Sequence, residues 1–312
     1  MTAANDWKGT KGFVYVATGA VYFHETAEAV RYLRAANPAA RVCVVTDKAH
    51  GEKFWDDIVV VEKPTFTFRD KLLMSLCPYE RFVYLDCDTY VAGDLSEMFR
   101  LLEQYDMIGH QLFEGHDYRI PEVPDAFPEF NGGVFGFRRS PEVEKFFARW
   151  SEIHLAYAAL NTGGFYDYTN VSDQKAFRVA LYQSGLRHSV LGPEYDFIVQ
   201  HVQFACAAVK IFHGRTFADL QRIEKIVNAR LGQRAWVPIL DLCVMQHESA
   251  GGWARLAWRT GLQALRMAGL VILPAGLRRR FRENPALRRL FLRNEAASVQ
   301  PPETKRKWGL AP

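Results

Sequence analysis

The sequence predicts an α/β protein built on an open, mostly parallel β-sheet that is flanked by helices. Short apolar runs alternate with segments of helical periodicity, which is typical of parallel strands buried on both faces. The chain has 312 residues, 49% of them hydrophobic, enough to fill the core of one large domain with appendages. After Gly251, Leu, Ala and Trp alternate with arginine at helical spacing, which predicts a basic helical extension. We therefore expect a domain at 1–250 and an extension, the tail, at 251–312.

The first part of the chain carries five apolar runs and three helical segments. The runs predict strands at residues 13–17, 41–45, 58–61, 81–85 and 107–110. The periodic segments predict helices at residues 25–36, 69–76 and 95–103, and Asp94 is expected to cap the last of them. Turn-forming residues follow the first two strands, so the order of elements is that of an α/β sheet.

The second part of the chain continues the alternation after a strand predicted at 133–137. Pro141 begins a helix that runs to Trp150, at a position where the missing N–H of proline has no cost. A loop rich in Gly, Asn, Thr and Tyr follows at 158–171, and a helix is predicted at 172–184. The last strand, at 209–212, ends at His213.

Charge is distributed unevenly along the chain. The tail has 13 Lys and Arg against 3 Asp and Glu, whereas the rest has 26 against 32. A mildly acidic body with a basic tail indicates an anionic partner, such as the surface of a membrane. The alternative is that the tail helices pack on the domain and their arginines are solvated. No nucleic-acid-binding module accompanies the charge, so a nucleic-acid partner is not expected.

The cysteines and the hydropathy pattern favour a cytoplasmic protein. The five cysteines are scattered and form no C-x-x-C pair, as expected of reduced thiols. The first residues lack the apolar core of a signal peptide, and no apolar run reaches the ~18–20 residues that a membrane span requires. We expect a cytoplasmic location, with a peripheral position at the inner face of the membrane if the tail binds lipid.

Two acids directly after a buried strand predict a metal site. Asp86 and Asp88 follow the strand at 81–85, and alternate residues of an extended chain point the same way. The carboxyl ends of such strands are where open α/β sheets bind ligands, and oxygen ligands suit Mg²⁺ or Mn²⁺. A D-x-D triplet arises about once by chance in a chain of this length, and the alternative is a surface pair. Burying both acids without a cation would be costly, which favours the metal.

His213 is the candidate for a third ligand. A lone histidine is usually structural, but this one ends a strand and precedes Gly214, whose small size exposes the backbone N–H. Imidazole beside two carboxylates favours Mn²⁺ over Mg²⁺, which is the alternative ion. The G-x-G-x-x-G and G-x-x-x-x-G-K phosphate loops are absent, so a metal would hold the phosphates, with Lys71 and Arg215 as added positive charges or as solvated surface residues.

Five ordered motifs between residues 13 and 215 resemble family 8 of the retaining glycosyltransferases, which have the GT-A fold and include glycogenin. They are Val-Ala-Thr-Gly-Ala-Val-Tyr at 16–22, the helix–strand–DxD element at 71–89, Phe-Asn-Gly-Gly-Val-Phe at 130–135, Asp-Gln at 173–174 and His-Gly at 213–214. Each motif alone is weak, but their order and spacing are specific. The resemblance implies the GT-A fold for residues 1–250.

The resemblance implies a role for each matching residue. Thr18 and Tyr22 would contact the uridine, and Lys71 would approach the donor. Asn131 would contact the donor sugar, while Asp173 and Gln174 would lie near the anomeric carbon. Asp86, Asp88 and His213 would complete the metal shell, and the region of Gly214 and Arg215 would contact the pyrophosphate.

The reaction that the resemblance implies is transfer of a hexosyl group from a UDP-sugar with Mn²⁺ and retention of configuration. Glycan, lipid-linked and protein acceptors all stay open, as does the donor sugar. Asp173 is either a nucleophile or an orienting group, and Gln174 is too weak a nucleophile to do more than position the sugar. We favour a front-face path in which the leaving phosphate deprotonates the acceptor.

The chain departs from the family pattern at two motifs. Lys175 stands where the family often has a second acid, and the closing motif reads His-Gly-Arg. The loop at 158–171, with Tyr166 and Tyr168, is expected to border the acceptor.

Two other functions are compatible with the motifs. A haloacid-dehalogenase-type phosphatase also places D-x-D after an apolar strand, but Tyr90 stands at its usual Thr or Val position and no second acidic pair follows. The other alternative is a non-catalytic protein that binds nucleotide sugars. The sequence does not indicate the oligomeric state.

Overall fold

The computed structural model describes residues 9–112, 123–160, 173–214, 216–246 and 250–272. The chain forms two compact units. The first unit consists of residues 1–197 and 209–217, and the second of residues 198–208 and 218–312. The expected division at Gly251 stays a prediction.

Strands and helices alternate through most of the described residues. In chain order, the elements are β1 (Lys11–Val16), α1 (Ala20–Ala36), β2 (Val42–Thr46), β3 (Asp57–Val60), a 3₁₀ helix (Phe68–Leu76), β4 (Arg81–Leu85), β5 (Thr89–Val91), α2 (Ser96–Leu101), β6 (Met107–Gln111), β7 (Phe130–Arg138), α3 (Pro141–Leu160), α4 (Asp173–Ser184), β8 (His188–Leu191), a 3₁₀ turn (Pro193–Tyr195), β9 (Phe197–Ile198), β10 (Gln203–Ala205), β11 (Ile211–His213), α5 (Phe217–Val227), β12 (Arg234–Val237), a 3₁₀ turn (Pro238–Leu240), β13 (Leu242–Met245) and α6 (Ala250–Ile272).

The first unit is built on a seven-stranded sheet in the order β3-β2-β1-β4-β7-β6-β8. Strands β3, β2, β1 and β4 are parallel, and β8 is parallel to β6. β7 alone runs antiparallel to its neighbours β4 and β6 within this sheet. The α/β class and the mostly parallel sheet are therefore confirmed, and the reversed strand is an addition to the predicted pattern.

Burial explains why these segments are strands. All five residues of β2 are buried, as are four of the five residues of β4, as expected for strands covered on both faces. Aromatic rings pack α3 and α4 against β7, with the ring centroids of Phe135 and Phe177 4.5 Å apart. The indole N–H of Trp150 in α3 donates to the backbone oxygen of Asp173 at 3.1 Å, and this bond fixes the start of α4.

A short antiparallel pairing brings a distant segment of the chain to the end of β4. β5 pairs with β11, with Thr89 opposite His213, and β9 completes a three-stranded sheet. The residues immediately before β5 and the last residue of β11 are thereby held side by side.

The second unit contains a three-stranded antiparallel sheet in the order β10-β12-β13. Trp236 in β12 is fully buried, and its indole N–H donates to the backbone oxygen of Val199 at 2.8 Å. Helix α6 agrees with the helical periodicity predicted after Trp253, and residues 273–312 lie outside the described part. Within the described residues, none of the helices combines the length and the apolar character that crossing a bilayer demands.

Several element boundaries differ from their predicted positions. α1 begins at Ala20 rather than at residue 25, and α3 continues to Leu160 beyond the predicted end at Trp150. The predicted helix at 69–76 is a 3₁₀ helix. The expectation that Asp94 caps α2 is wrong, because the helix begins at Ser96 and its N-cap is Leu95, without a side-chain cap. Asp94 accepts the backbone N–H of Ser96 at 3.2 Å from one residue further back.

Candidate metal centre

The segment after β4 forms a turn that points two carboxylates in one direction. The backbone N–H and the hydroxyl of Thr89 both donate to the backbone oxygen of Asp86, at 3.1 and 2.7 Å. Cys87, between the two acids, is buried, and its sulfur accepts a hydrogen bond from the Thr26 hydroxyl at 3.1 Å. Cys87 thus points into the protein, whereas the carboxylates of Asp86 and Asp88 both lie beside the imidazole of His213.

The imidazole of His213 meets both carboxylates. Its Nε2 lies 3.6 Å from Asp86 Oδ2 and 3.3 Å from Asp88 Oδ1. One ligand atom from each of the three residues lies within 4.8 Å of the others. The structure thus brings together the three residues that the sequence predicts as metal ligands.

A buried acid that the sequence analysis missed holds the imidazole in position. Asp196 is fully buried, and its Oδ1 lies 2.9 Å from His213 Nδ1. A carboxylate at this distance accepts the Nδ1 proton and leaves Nε2 for a metal. Asp196 lies between a 3₁₀ turn and a two-residue strand, a position without a motif that could have marked it.

Gly133 lies directly against the imidazole of His213. A Cβ built on Gly133 would be 2.0 Å from His213 Cε1, so any other residue would displace the ring. The backbone N–H of Gly133 donates to Asn131 Oδ1 at 2.7 Å, and its carbonyl oxygen accepts the backbone N–H of Asp86 at 2.9 Å. The Asn-Gly-Gly motif therefore has a steric role beside the metal ligands.

Lys71 joins the candidate metal ligands to Asp173. Its Nζ donates to the Gly132 carbonyl oxygen at 2.9 Å and lies 3.4 Å from Asp86 Oδ2 and 3.7 Å from Asp173 Oδ2. Burial lowers the pKa of Lys71, but the charges of Asp173 and Asp86 outweigh this effect and raise it overall. The ammonium is therefore charged at neutral pH. Asp173, the first residue of α4, is buried, and Gln174 beside it is half-buried.

The charges of the three ligand residues depend on one another. Burial raises the pKa of Asp86 in spite of the nearby Lys71 and His213 cations. Burial acts in the same direction on Asp88, but His213 outweighs it and lowers the pKa of Asp88. For His213, burial lowers the pKa while Asp88 and Asp196 raise it well above the usual value. The site is a cluster of carboxylates whose negative charge is partly balanced by Lys71 and His213.

The residues present fit a divalent cation. Ligand atoms bound at about 2.1 Å in adjacent octahedral positions are about 3.0 Å apart, and the Nε2–oxygen distances of 3.3 and 3.6 Å are near this value. Two carboxylates and an imidazole suit Mn²⁺, and the buried acid behind the imidazole is the usual support of a histidine ligand. Within the described residues, this is the cluster of His, Cys, Asp and Glu side chains whose ligand atoms could meet at one ion.

Of the remaining predicted site residues, the structure describes Thr18, Tyr22 and Gly214. The Thr18 hydroxyl donates to Asp70 Oδ2 at 2.9 Å, so it ties the end of β1 to the 3₁₀ helix. Burial raises the pKa of Tyr22, with smaller contributions from Asp88 and Asp86. The N–H of Gly214 donates to the Asp88 carbonyl oxygen at 3.2 Å, with φ of 84°. Arg215 lies outside the described residues, as do Tyr166 and Tyr168.

Comparison with known proteins gives matches among solved structures. Neither a protein-family model nor a curated protein matches the chain. The glycosyltransferase GlyE of Streptococcus pneumoniae TIGR4 is 16% identical, with 61% of this chain and 47% of that chain covered and a TM-score of 0.43. An active-site mutant of LgtC is 12% identical, with 66% and 87% covered and a TM-score of 0.47. The chain thus spans less than half the length of GlyE but most of LgtC.

Proposed function

We propose that the protein is a metal-dependent glycosyltransferase of the GT-A fold that transfers a hexosyl group from a UDP-sugar with retention of configuration. The observation that carries the proposal is the convergence of Asp86, Asp88 and His213 at the carboxyl end of β4. Lys71 and Asp173 adjoin the same cluster. The ordered motifs that resemble family 8 support the same reaction.

The three ligands would hold Mn²⁺, with Mg²⁺ as the alternative. When bound, the cation supplies positive charge that stabilises the departing diphosphate. Lys71 adds a positive charge beside the cluster, on a side chain that is 10% exposed. Gly214 and Arg215 are the proposed contacts of the pyrophosphate. Thr18 and Tyr22, at the end of β1 and the start of α1, are the proposed contacts of the uridine.

Asp173, Gln174 and Asn131 are the proposed contacts of the donor sugar. Asp173 is paired with the Lys71 ammonium at 3.7 Å, and this pairing favours an orienting role over that of a nucleophile. In the front-face path, the acceptor oxygen bonds to the anomeric carbon as the bond to the diphosphate breaks. The acceptor proton passes to the departing phosphate oxygen, so the protein needs no base.

The acceptor would be a glycan, a lipid-linked saccharide or a protein. We place the protein in the cytoplasm, with the basic tail as the means by which it would reach an anionic membrane surface.

Donor turnover tests the proposal. In the presence of Mn²⁺, we expect the protein to hydrolyse a UDP-sugar or to transfer the sugar from it to an acceptor. This activity should stop when EDTA removes the metal. Asp88→Ala should lower the rate by about 10²-fold or more, because the charge on the leaving group is no longer stabilised. Asp94→Ala, which removes an exposed acid from the same region, should retain the rate of the wild type.

The same assay separates the other functions. A protein that binds UDP-sugars with Mn²⁺ but turns over none of a donor and acceptor panel would be a binding protein. Release of phosphate from simple phosphate esters, lost in Asp88→Ala, would indicate a phosphatase instead.

A further inference from the structure

Phe66 has a backbone conformation that aromatic residues rarely adopt. Its φ is 54°, in the left-handed region. Among the described residues, the others with positive φ are glycines and Asp241. Small polar residues and glycine tolerate this region, whereas a bulky side chain there is strained. Such strain persists only when surrounding contacts impose it, and it concentrates at sites that bind ligands.

A buried carboxylate imposes the conformation. Asp70 Oδ2 accepts the backbone N–H of Phe66 at 2.8 Å and the Thr18 hydroxyl at 2.9 Å. Asp70 Oδ1 accepts the backbone N–H and the hydroxyl of Thr65, at 2.8 and 2.7 Å. Asp70 itself is only 5% exposed. Four hydrogen bonds to one buried group therefore fix the segment 65–66 against the end of β1.

The strained backbone presents its ring to solvent. Phe66 is 49% exposed, so burial of the ring in the core does not explain its position. A Cβ built on Gly19 would lie 3.9 Å from the Phe66 ring. Gly19 follows the carboxyl end of β1 and is the N-cap of α1, so the exposed ring stands at the edge of the sheet where ligands bind in α/β proteins.

The segment that carries Phe66 also reaches the metal ligands. Asp70, which fixes Phe66, is followed by Lys71, whose ammonium lies 3.4 Å from Asp86. β1 is hydrogen-bonded to β4, and the Cys87 thiol between the two acids contacts the backbone oxygen of Val16 at 3.4 Å. The ring and the metal ligands thus lie at the carboxyl ends of neighbouring strands.

We propose that Phe66 is a stacking platform for the nucleobase of the donor, which makes the ligand of this edge a nucleoside diphosphate. An aromatic ring that is exposed and held in place can stack on the face of any nucleobase. Because the ring is already fixed, little conformational freedom of the side chain is lost when the base binds, which favours binding. The inference rests on the proposed function, because the metal ligands would hold the diphosphate of the same molecule. Phe66 is thereby a binding residue in addition to Thr18 and Tyr22.

Calorimetric titration with Mn²⁺ alone and with UDP in saturating Mn²⁺ tests the proposal. Phe66→Leu, which keeps an apolar side chain but lacks the ring, should weaken UDP binding by roughly 5- to 100-fold. Its Kd for Mn²⁺ alone should equal that of the wild type. Phe66→Tyr and Phe66→Trp should bind UDP within about threefold of the wild type, because they restore a ring that can stack.

Phe68→Leu is the matched control. Phe68 lies two residues away and is 37% exposed, so its substitution should leave UDP binding unchanged. Equal UDP affinity of the wild type and Phe66→Leu would overturn the inference and leave glycosyl transfer standing. Weak UDP binding by Phe66→Tyr and Phe66→Trp as well would also overturn it, because a residue that only shapes the loop would give that result. A wild-type protein that binds neither Mn²⁺ nor UDP would instead contradict the proposed function.

Discussion

At the scale of single residues, Gly133 gives the sharpest steric constraint on the metal centre. In Gly133→Ala, the new Cβ would overlap His213 Cε1, since their distance would be 2.0 Å. We expect a loss of about 1–3 kcal/mol in the free energy of unfolding and a Kd for Mn²⁺ that is about tenfold weaker or more. Denaturation in EDTA and Mn²⁺ titration measure the two effects.

Gly132→Ala is the control for this substitution. Its Cβ would lie 2.9 Å from Lys71 Nζ and 3.3 Å from Asp173 Oδ2 rather than against the imidazole, so Mn²⁺ affinity should stay within about threefold of the wild type. Normal Mn²⁺ binding by Gly133→Ala would show that the imidazole is not a ligand or that it is free to move.

The cluster of Asp86, Asp88 and His213 could be predicted from the sequence, but its support could not. Asp86 and Asp88 are marked by the apolar strand before them, which is a local signal. The prediction of His213 depended on the order of the motifs along the chain. No local signal marks it, because its position beside the two acids results from the pairing of β5 and β11. Nothing local marks Asp196, since its role arises only when the chain has folded around His213. The strain at Phe66 likewise appears only in the backbone angles.

At the scale of elements, Asp106 links the ends of three strands. Its carboxylate accepts from Arg138 at the end of β7 at 2.7 Å, and from the Arg187 side chain before β8 at 3.0 Å. The backbone N–H of Arg187 donates to it as well, at 3.1 Å. Burial raises the pKa of Asp106, but these hydrogen bonds outweigh burial and lower it. A single carboxylate thus connects β6 with the strands on either side of it.

The lowered pKa gives a prediction about stability and pH. An acid whose pKa is lower in the folded state stabilises the fold fully above its unfolded pKa of about 3.9. This contribution is lost as the pH falls through the folded-state value. Asp106→Asn should therefore lower the free energy of unfolding by about 1–2 kcal/mol at pH 7, and the difference from the wild type should shrink below about pH 4.

Urea denaturation across this pH range measures the difference. Glu103→Gln is the control, because its ion pair with Arg81 involves a carboxylate that is 62% exposed, and its effect should stay within about 0.5 kcal/mol. A constant difference between Asp106→Asn and the wild type at all pH values would exclude the proposed charge effect.

The strands of the parallel part were predictable, whereas the direction of β7 was not. β2 and β4 are apolar except for Thr46 at the end of β2 and Arg81 at the start of β4, and burial on both faces leaves that pattern in the sequence. An apolar run carries no information on strand direction, so the reversal at β7 is visible only in the folded chain. The sequence prediction placed the start of α1 five residues too late. The residues before 25 combine an aromatic pair with alanine and valine, a composition that occurs in helices and in loops and therefore does not mark the boundary.

At the scale of the whole molecule, the sequence pairs an acidic body with a basic tail. Residues 251–312 contain 13 Lys and Arg but only 3 Asp and Glu. A basic residue near an anionic membrane contributes about 1 kcal/mol to the free energy of membrane binding. We expect the protein to float with phosphatidylserine vesicles at low salt and to be released at high salt. Replacing Arg278, Arg279 and Arg280 by Gln should weaken the partition by roughly 100-fold.

A triple variant of the body serves as the control for this experiment. Arg31, Arg100 and Arg149 are exposed, so their replacement by Gln removes the same charge elsewhere and should leave flotation unchanged. Equal flotation of both variants and the wild type would mean that the tail charges are simply solvated.

The return of residues 209–217 to the first unit has a consequence for synthesis. The ribosome synthesises Asp86 and Asp88 long before His213, and the chain between them includes residues 198–208, which belong to the second unit. A nascent chain, or a product truncated before residue 209, carries the acid pair without its imidazole. A divalent cation that binds at this proposed site would therefore stabilise only chains that have been translated past this point, and an unfinished polypeptide would gain no comparable protection from proteolysis.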